Sequence, residues 1–180
     1  MTHISRRSAV EPFHAMDVLA AANRMRAQGR DIISMAVGQP ADSAPAKVLE
    51  AARAALLNGR IGYTDALGLA DLRRAISQHY ADHYGVDVDH SRIAVTTGSS
   101  AAFNLAFLSM FDAGDRVAIT RPGYPAYRNI MSALGIDVVE IPVGNEDGPL
   151  SSERLAAIHA STPIKGLLFA SPANPTGEAL

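Results

Sequence analysis

A chain of 180 residues with 48% hydrophobic and 19% charged residues has apolar material for an ordinary folded domain and is not a disordered sequence. Its net charge of -2 offers no basic surface for nucleic acid or anionic lipid. Cysteine is absent, which excludes disulfides, thiolate metal sites and cysteine nucleophiles.

No window holds the ~18 uninterrupted apolar residues of a membrane span. The start, MTHISRRSAVEPFHAMD, brings a charge and a proline where a signal peptide needs an apolar run. The expectation is a soluble, cytoplasmic protein with neither nucleic acid nor membrane as partner.

In chain order, Glu11 to Asp31 is expected to form a helix with Pro12 in its first turn and Gly29 as its stop. IISMAVG then reads as a short buried strand. PAKVLEAARAALLNG is a second helix, begun near Pro45 and ended by Gly59, and LADLRRAISQHYADHYG a third, running to Gly85. His79 and His83 lie four apart on that third helix, a spacing that can hold a metal. Without an HExxH carboxylate or a third ligand they read as a solvated helix face, and no metal site is expected.

From Arg92 onward the pattern alternates as a parallel α/β sheet requires. RIAVTT, RVAIT, DVVEIPV and IKGLLFAS are the strands; SSAAFNLAFLSMF, YPAYRNIMSALG and SSERLAAIHAS are the helices between them. Val and Ile dominate the strands, which suits burial on both faces. The change of character near Pro40–Ala46 marks the one boundary.

Three segments stand at strand-to-helix or strand-to-loop junctions. AVTTGSSAAF joins a strand to a helix through Gly98-Ser99-Ser100. Free N–H groups at a helix start, beside two hydroxyls and a glycine, make an anion cradle; the same residues also suit a plain N-cap. A rival reading takes Ser100 as the nucleophile of a G-x-S-x-G elbow, with Asp137 and His159 following in the right order. The elbow's final glycine is Ala102, and no HGGG-type segment precedes the strand.

In TRPGYPAYRN the prolines around Gly123 hold Tyr124 in a stiff turn at the edge where open α/β sheets bind ligands; alternatively, that tyrosine merely covers a helix start. Tyr63, in IGYTDALGLADLRRAI, sits in a glycine-flanked loop. In FASPANPTGEAL, Ser171 and Asn174 each precede a proline and are biased to extended geometry. That geometry can aim the Asn174 amide into the crevice above the sheet, or simply form a turn.

The ordered set VGQP, GYTDALGLADLRRAI, TTGSSAAF, RPGYPAY and SPANPTG resembles the pyridoxal-phosphate-dependent aminotransferases of fold type I, class I/II. The likeness runs from about Glu11 to the last residue. It implies an α/β/α sandwich with a mostly parallel sheet. Residues 1–45 would be the N-terminal arm and part of the small domain, and 46–180 the first part of the large cofactor-binding domain. HISRRSAVEPF resembles the arm and first helix of the aspartate-like subgroup.

Residue by residue, the resemblance implies that the Gly38 backbone meets the substrate carboxylate. Gly98, Ser99 and Ser100 would hold the pyridoxal 5'-phosphate phosphate group, Tyr124 would stack on the pyridine ring, and Asn174 would hydrogen-bond the 3′-oxygen. Tyr63 would reach the phosphate of a second subunit, which implies a homodimer. The activity implied is transfer of an amino group from an amino acid to a 2-oxo acid.

The family also needs a lysine for the Schiff base, set in Ser-x-x-Lys. Lys47 and Lys165, the chain's two lysines, do not stand in that setting. No catalytic residue is therefore assigned, and the chain reads as an N-terminal segment, a cofactor-binding piece that would not transaminate alone. In the family, neighbours of the strands ending at Thr97 and Ser171 come from the later half, so the segment alone is expected to fold poorly or aggregate.

Overall fold

The computed structural model describes residues 4–59 and 61–179. Contacts divide the chain into two compact units, Ala15–Thr97 and, separately, Met1–His14 with Gly98–Leu180.

The Ala15–Thr97 unit is helical. α1 (His14–Ala27) begins after Pro12 rather than around it, and Phe13, just ahead of it, packs on another ring. α2 (Ala46–Asn58) is preceded by Pro45 and capped by Gly59, whose N–H donates to the Ala55 carbonyl. α3 (Ala70–Tyr84) ends at Gly85, which donates back to Ala81 and Tyr80. Arg73 reaches from α3 to the His90 carbonyl at 3.2 Å, and Ser77 to that of Val88 at 2.6 Å; these bonds fix the following turn against the helix.

Two expected strands are not formed. In IISMAVG, Ile33 and Met35 are 88% and 91% exposed, and no ladder pairs the segment. In RIAVTT the chain makes a 3-10 turn at His90–Arg92 and continues extended, with the Val95 N–H donating to the Leu67 carbonyl at 3.0 Å. A strand's hydrogen bonds come from a second segment. Among the described residues no neighbour supplies a ladder for either stretch.

The other unit contains α4 (Ser99–Met110), β1 (Arg116–Arg121), α5 (Pro125–Leu134), β2 (Asp137–Pro142), α6 (Ser152–Ser161) and β3 (Gly166–Leu168). The strands form a parallel sheet in the order β2-β1-β3, with Val117 opposite both Val138 and Gly166. β3 is shorter than its apolar run, since only Gly166–Leu168 meets β1.

The order places β2 on one side of β1 and β3 on the other. Right-handed crossovers therefore put α5 and α6 on opposite faces. Val117, Ala118 and Ile119 of β1 are all buried, as a strand covered on both faces requires. Val117 and Ile119 pack with Phe107 of α4, Met131 of α5 and Ile136 to form the core. This is the α/β/α arrangement expected from the alternating pattern.

Candidate functional site

β1 and β3 run parallel with Ile119 opposite Leu168, so both leave the sheet at its carboxyl edge. β1 runs on into the turn that carries Tyr124, and β3 into the turn that carries Asn174. α4 leads through residues 111–115 to the amino end of β1, which brings its own start back to the carboxyl edge. There Ser100 and Asn104 share a cavity of about 400 Å³ with Phe13, Ala126 and Asn129. Three of the segments singled out in the sequence thus converge on one edge of one sheet.

Gly98 caps α4 with φ 85° and ψ 168°, a conformation essentially restricted to glycine. It provides no side-chain cap, so the first-turn N–H groups are not closed off by their own N-cap residue. No acidic residue stands in that turn, Ser99 and Ser100 are exposed, and the helix dipole adds partial positive charge. Asn104 Nδ2 donates to the Ser100 carbonyl at 2.9 Å. The chemistry of this donor set suits a compact dianion.

Tyr124 is the N-cap of α5, and Pro125 occupies the first turn. The preceding bend needs Gly123: a Cβ there would stand 2.6 Å from the Thr120 carbonyl oxygen. The Tyr124 ring is half-buried, not simply presented to solvent. It meets Phe13 edge-on, with ring centroids 5.8 Å apart at 90°, and Tyr127 at 5.4 Å and 80°. Asn174 is exposed in a tight loop closed by Gly177 N–H to the Ala173 carbonyl and Ala173 N–H to the Glu178 carbonyl, both 2.7 Å.

Gly38 and Tyr63 belong to the helical unit. Gly38 is exposed, with open space around the position of a Cβ, and Tyr63 projects fully into solvent. Among the described residues of that unit, none packs on the Tyr63 ring.

The hydrolase reading does not assemble. Asp137 opens β2 at the amino edge of the sheet, opposite the start of α4. His159 Nδ1 is engaged by the Ile164 N–H at 3.2 Å. His79 and His83 stack, with ring centroids 4.1 Å apart, and no group of three or more potential metal ligands occurs among the described residues. No helix among the described residues is long and apolar enough to cross a membrane.

Lys47 lies in the first turn of α2. Lys165 is also committed elsewhere: its Nζ donates to Asp115 at 2.9 Å, at the amino edge of the sheet. The hydrogen bond from Lys165, then that from the Asp112 N–H, holds the Asp115 carboxyl below its ordinary 3.8. The same pair, through the Asp115 hydrogen bond first, raises Lys165 above 10.5. A lowered carboxylate stabilises the fold above its unfolded value and loses that effect as pH falls through the folded value. A raised lysine stabilises below its unfolded value and loses the effect as pH rises through the folded one. Lys165→Met is therefore expected to lower stability between these limits. In urea unfolding, the gap from the parent should be full between pH 3.8 and 10.5 and should close as pH falls further below the first, through the lowered carboxyl, or rises further above the second, through the raised lysine.

The contact that sequence patterns missed is Phe13 on Tyr124. Its local trace is Pro12, which by pattern suits a first helical turn and in the structure lies in the stretch ahead of α1.

The family model "Aminotransferase class I and II" matches residues 30–180. The valine–pyruvate aminotransferase of Mycobacterium tuberculosis is 48% identical over 98% of this chain and 45% of its own length. A crystal structure of an aminotransferase from Mycobacterium tuberculosis superposes with a TM-score of 0.92 at 46% identity, over all of this chain and 46% of that one. The aspartate aminotransferase of Thermus thermophilus with maleate gives 0.88 at 32% identity, over 99% and 47%. This chain spans about half the length of the relatives it matches, in their N-terminal half. The carboxyl-edge convergence, the parallel sheet and these likenesses lead to one conclusion: the chain belongs to the class I and II aminotransferases, with the fold type I architecture.

Proposed function

We propose that this chain provides the phosphate and ring contacts of a pyridoxal 5'-phosphate-dependent aminotransferase, which moves an amino group from an amino acid to a 2-oxo acid. The observation that carries the reading is the convergence of the α4 start, the Tyr124 turn and the Asn174 turn on one sheet edge.

When bound, pyridoxal phosphate supplies an electron-withdrawing ring that stabilises negative charge at the substrate's α-carbon. The chain's own residues bind and orient. The N–H groups at the start of α4 and the Ser99 and Ser100 hydroxyls hold the phosphate dianion, with Gly98 allowing close approach. The Tyr124 ring packs on the cofactor ring and sets its plane. The Asn174 amide donates to the ring's 3′-oxygen, and the Gly38 N–H meets the substrate carboxylate. Tyr63, fully exposed in its own unit, reaches the phosphate held by a second copy, which makes the active form a homodimer.

Neither lysine takes up the substrate proton in this reading. Lys165 is bound to Asp115 at the far edge of the sheet, so the 180 residues by themselves do not transaminate. Residues 1–45 serve as arm and part of the small domain, and 46–180 as the first part of the large domain. The place of action is the cytoplasm, in amino-acid metabolism.

The relative at 48% identity is named for valine and pyruvate, so that pair is the first to assay with the full protein as encoded. Expected are amino transfer dependent on added pyridoxal phosphate and no labelling of Ser100 by a fluorophosphonate. Failure to bind pyridoxamine 5'-phosphate, or labelling at Ser100, overturns the proposal.

A further inference from the structure

We infer that Phe13 is a positioning residue: the N-terminal stretch before α1 acts as a brace that holds the Tyr124 ring in the plane needed to stack on the cofactor. The inference rests on the cofactor reading above and adds a residue and a segment to it.

Among the described residues Tyr124 meets two aromatic rings, one on either chain segment that reaches it. Tyr127, one turn along α5, meets it at 80°, and Tyr127 is itself held by Phe103 at 4.8 Å and 66°. Phe103 continues to Phe107 at 5.7 Å, a residue of the buried core. That side of Tyr124 is therefore tied to the body of the fold. Phe13 supplies the other side, edge-on at 90°.

Phe13 can brace only if its own backbone is held. The 3-10 turn at Arg6–Ser8 packs against α5. Two residues before Phe13, the Glu11 carbonyl accepts from Asn129 Nδ2 at 2.9 Å. The segment is thus tied to the helix that Tyr124 caps at two points, both ahead of Phe13 and the nearer one two residues away. Removing the Phe13 ring leaves Tyr124 with one edge contact and more freedom about its side-chain torsions. Stacking must then order the ring at the moment of binding, which costs affinity. Phe13 shares a cavity with Ser100, but it offers no polar atom to an anion: the phosphate group is held by the N–H groups and hydroxyls at the start of α4 and does not depend on the Tyr124 ring's plane.

The test measures binding to the full protein by calorimetry with two probes, pyridoxamine 5'-phosphate and inorganic phosphate. The first carries the ring and cannot condense with a lysine; the second carries only the anion. Phe13→Ala is expected to weaken pyridoxamine 5'-phosphate by about 3- to 10-fold, the range of an aromatic pair, and to leave inorganic phosphate unchanged. Phe13→Tyr, which keeps the ring, should restore the parent value. Should Phe13→Ala not fold, Phe13→Leu keeps apolar bulk without the edge contact and should show the same selective loss.

An unchanged pyridoxamine 5'-phosphate affinity overturns the brace and leaves the cofactor reading standing. Equal loss for both probes overturns it too, because a general loosening of the unit moves both. A parent protein that binds neither probe removes the cofactor reading, and the brace with it.

Discussion

Gly98→Ala is expected to weaken inorganic phosphate and pyridoxamine 5'-phosphate together, by about 5- to 150-fold, corresponding to about 1–3 kcal/mol of backbone strain. The cause is conformational and not steric. A Cβ at residue 98 would meet no atom within 4 Å, so there is open space for it. With φ 85° and ψ 168°, however, an alanine must either bear the strain or rotate the backbone. Rotation turns the first N–H groups of α4 away from a common point, and it is their convergence that binds an anion. Calorimetry with both probes, with thermal unfolding as a check on the fold, reads the result. Undiminished phosphate affinity in a folded Gly98→Ala protein would remove the helix start from the site. The parallel loss distinguishes this change from Phe13→Ala, which should affect only the probe with a ring.

The second large effect concerns these 180 residues produced as a separate polypeptide. They are expected to melt over a broad range and to aggregate with rising concentration. α4 is apolar on nearly every side, the composition of a helix enclosed by protein. Yet Leu105, Leu108 and Met110 are 59%, 64% and 66% exposed. Fully burying one such side chain stabilises by about 1.5–3 kcal/mol, so α4 forgoes several kcal/mol. β3, among the described residues, is hydrogen-bonded on its β1 side only, which leaves an open strand edge. Scanning calorimetry and sedimentation at several concentrations would decide it. A sharp, reversible, concentration-independent transition from a monomer would show that the exposed faces need no cover.

The elements legible in the residues are those whose hydrogen bonds close within themselves. α2, α3 and α5 begin and end where Pro45, Gly59, Gly85, Pro125 and Gly135 place them, because a helix bonds along its own chain and its ends carry local signals. β1 and β2 were also readable, since continuous runs of Val and Ile between turn residues suit a doubly covered sheet. The order of the five motifs was enough to point to the family.

Whether 32–38 and 92–97 become strands was not written in those segments. Their composition is that of buried strands, but a ladder needs a second chain segment, and none among the described residues stands beside them. The placement of the Ser100, Tyr124 and Asn174 segments toward one edge likewise depends on the strand order β2-β1-β3, which no local pattern encodes. The same is true of Phe13: its helix-like surroundings placed it in α1, and only the folded chain carries it to Tyr124. Local residue patterns are enough for the helices, the two long strands and the chemistry available at the turns. Only the folded chain decides which turns leave the sheet at the same edge and which ring meets another, because those arrangements join residues far apart along the chain.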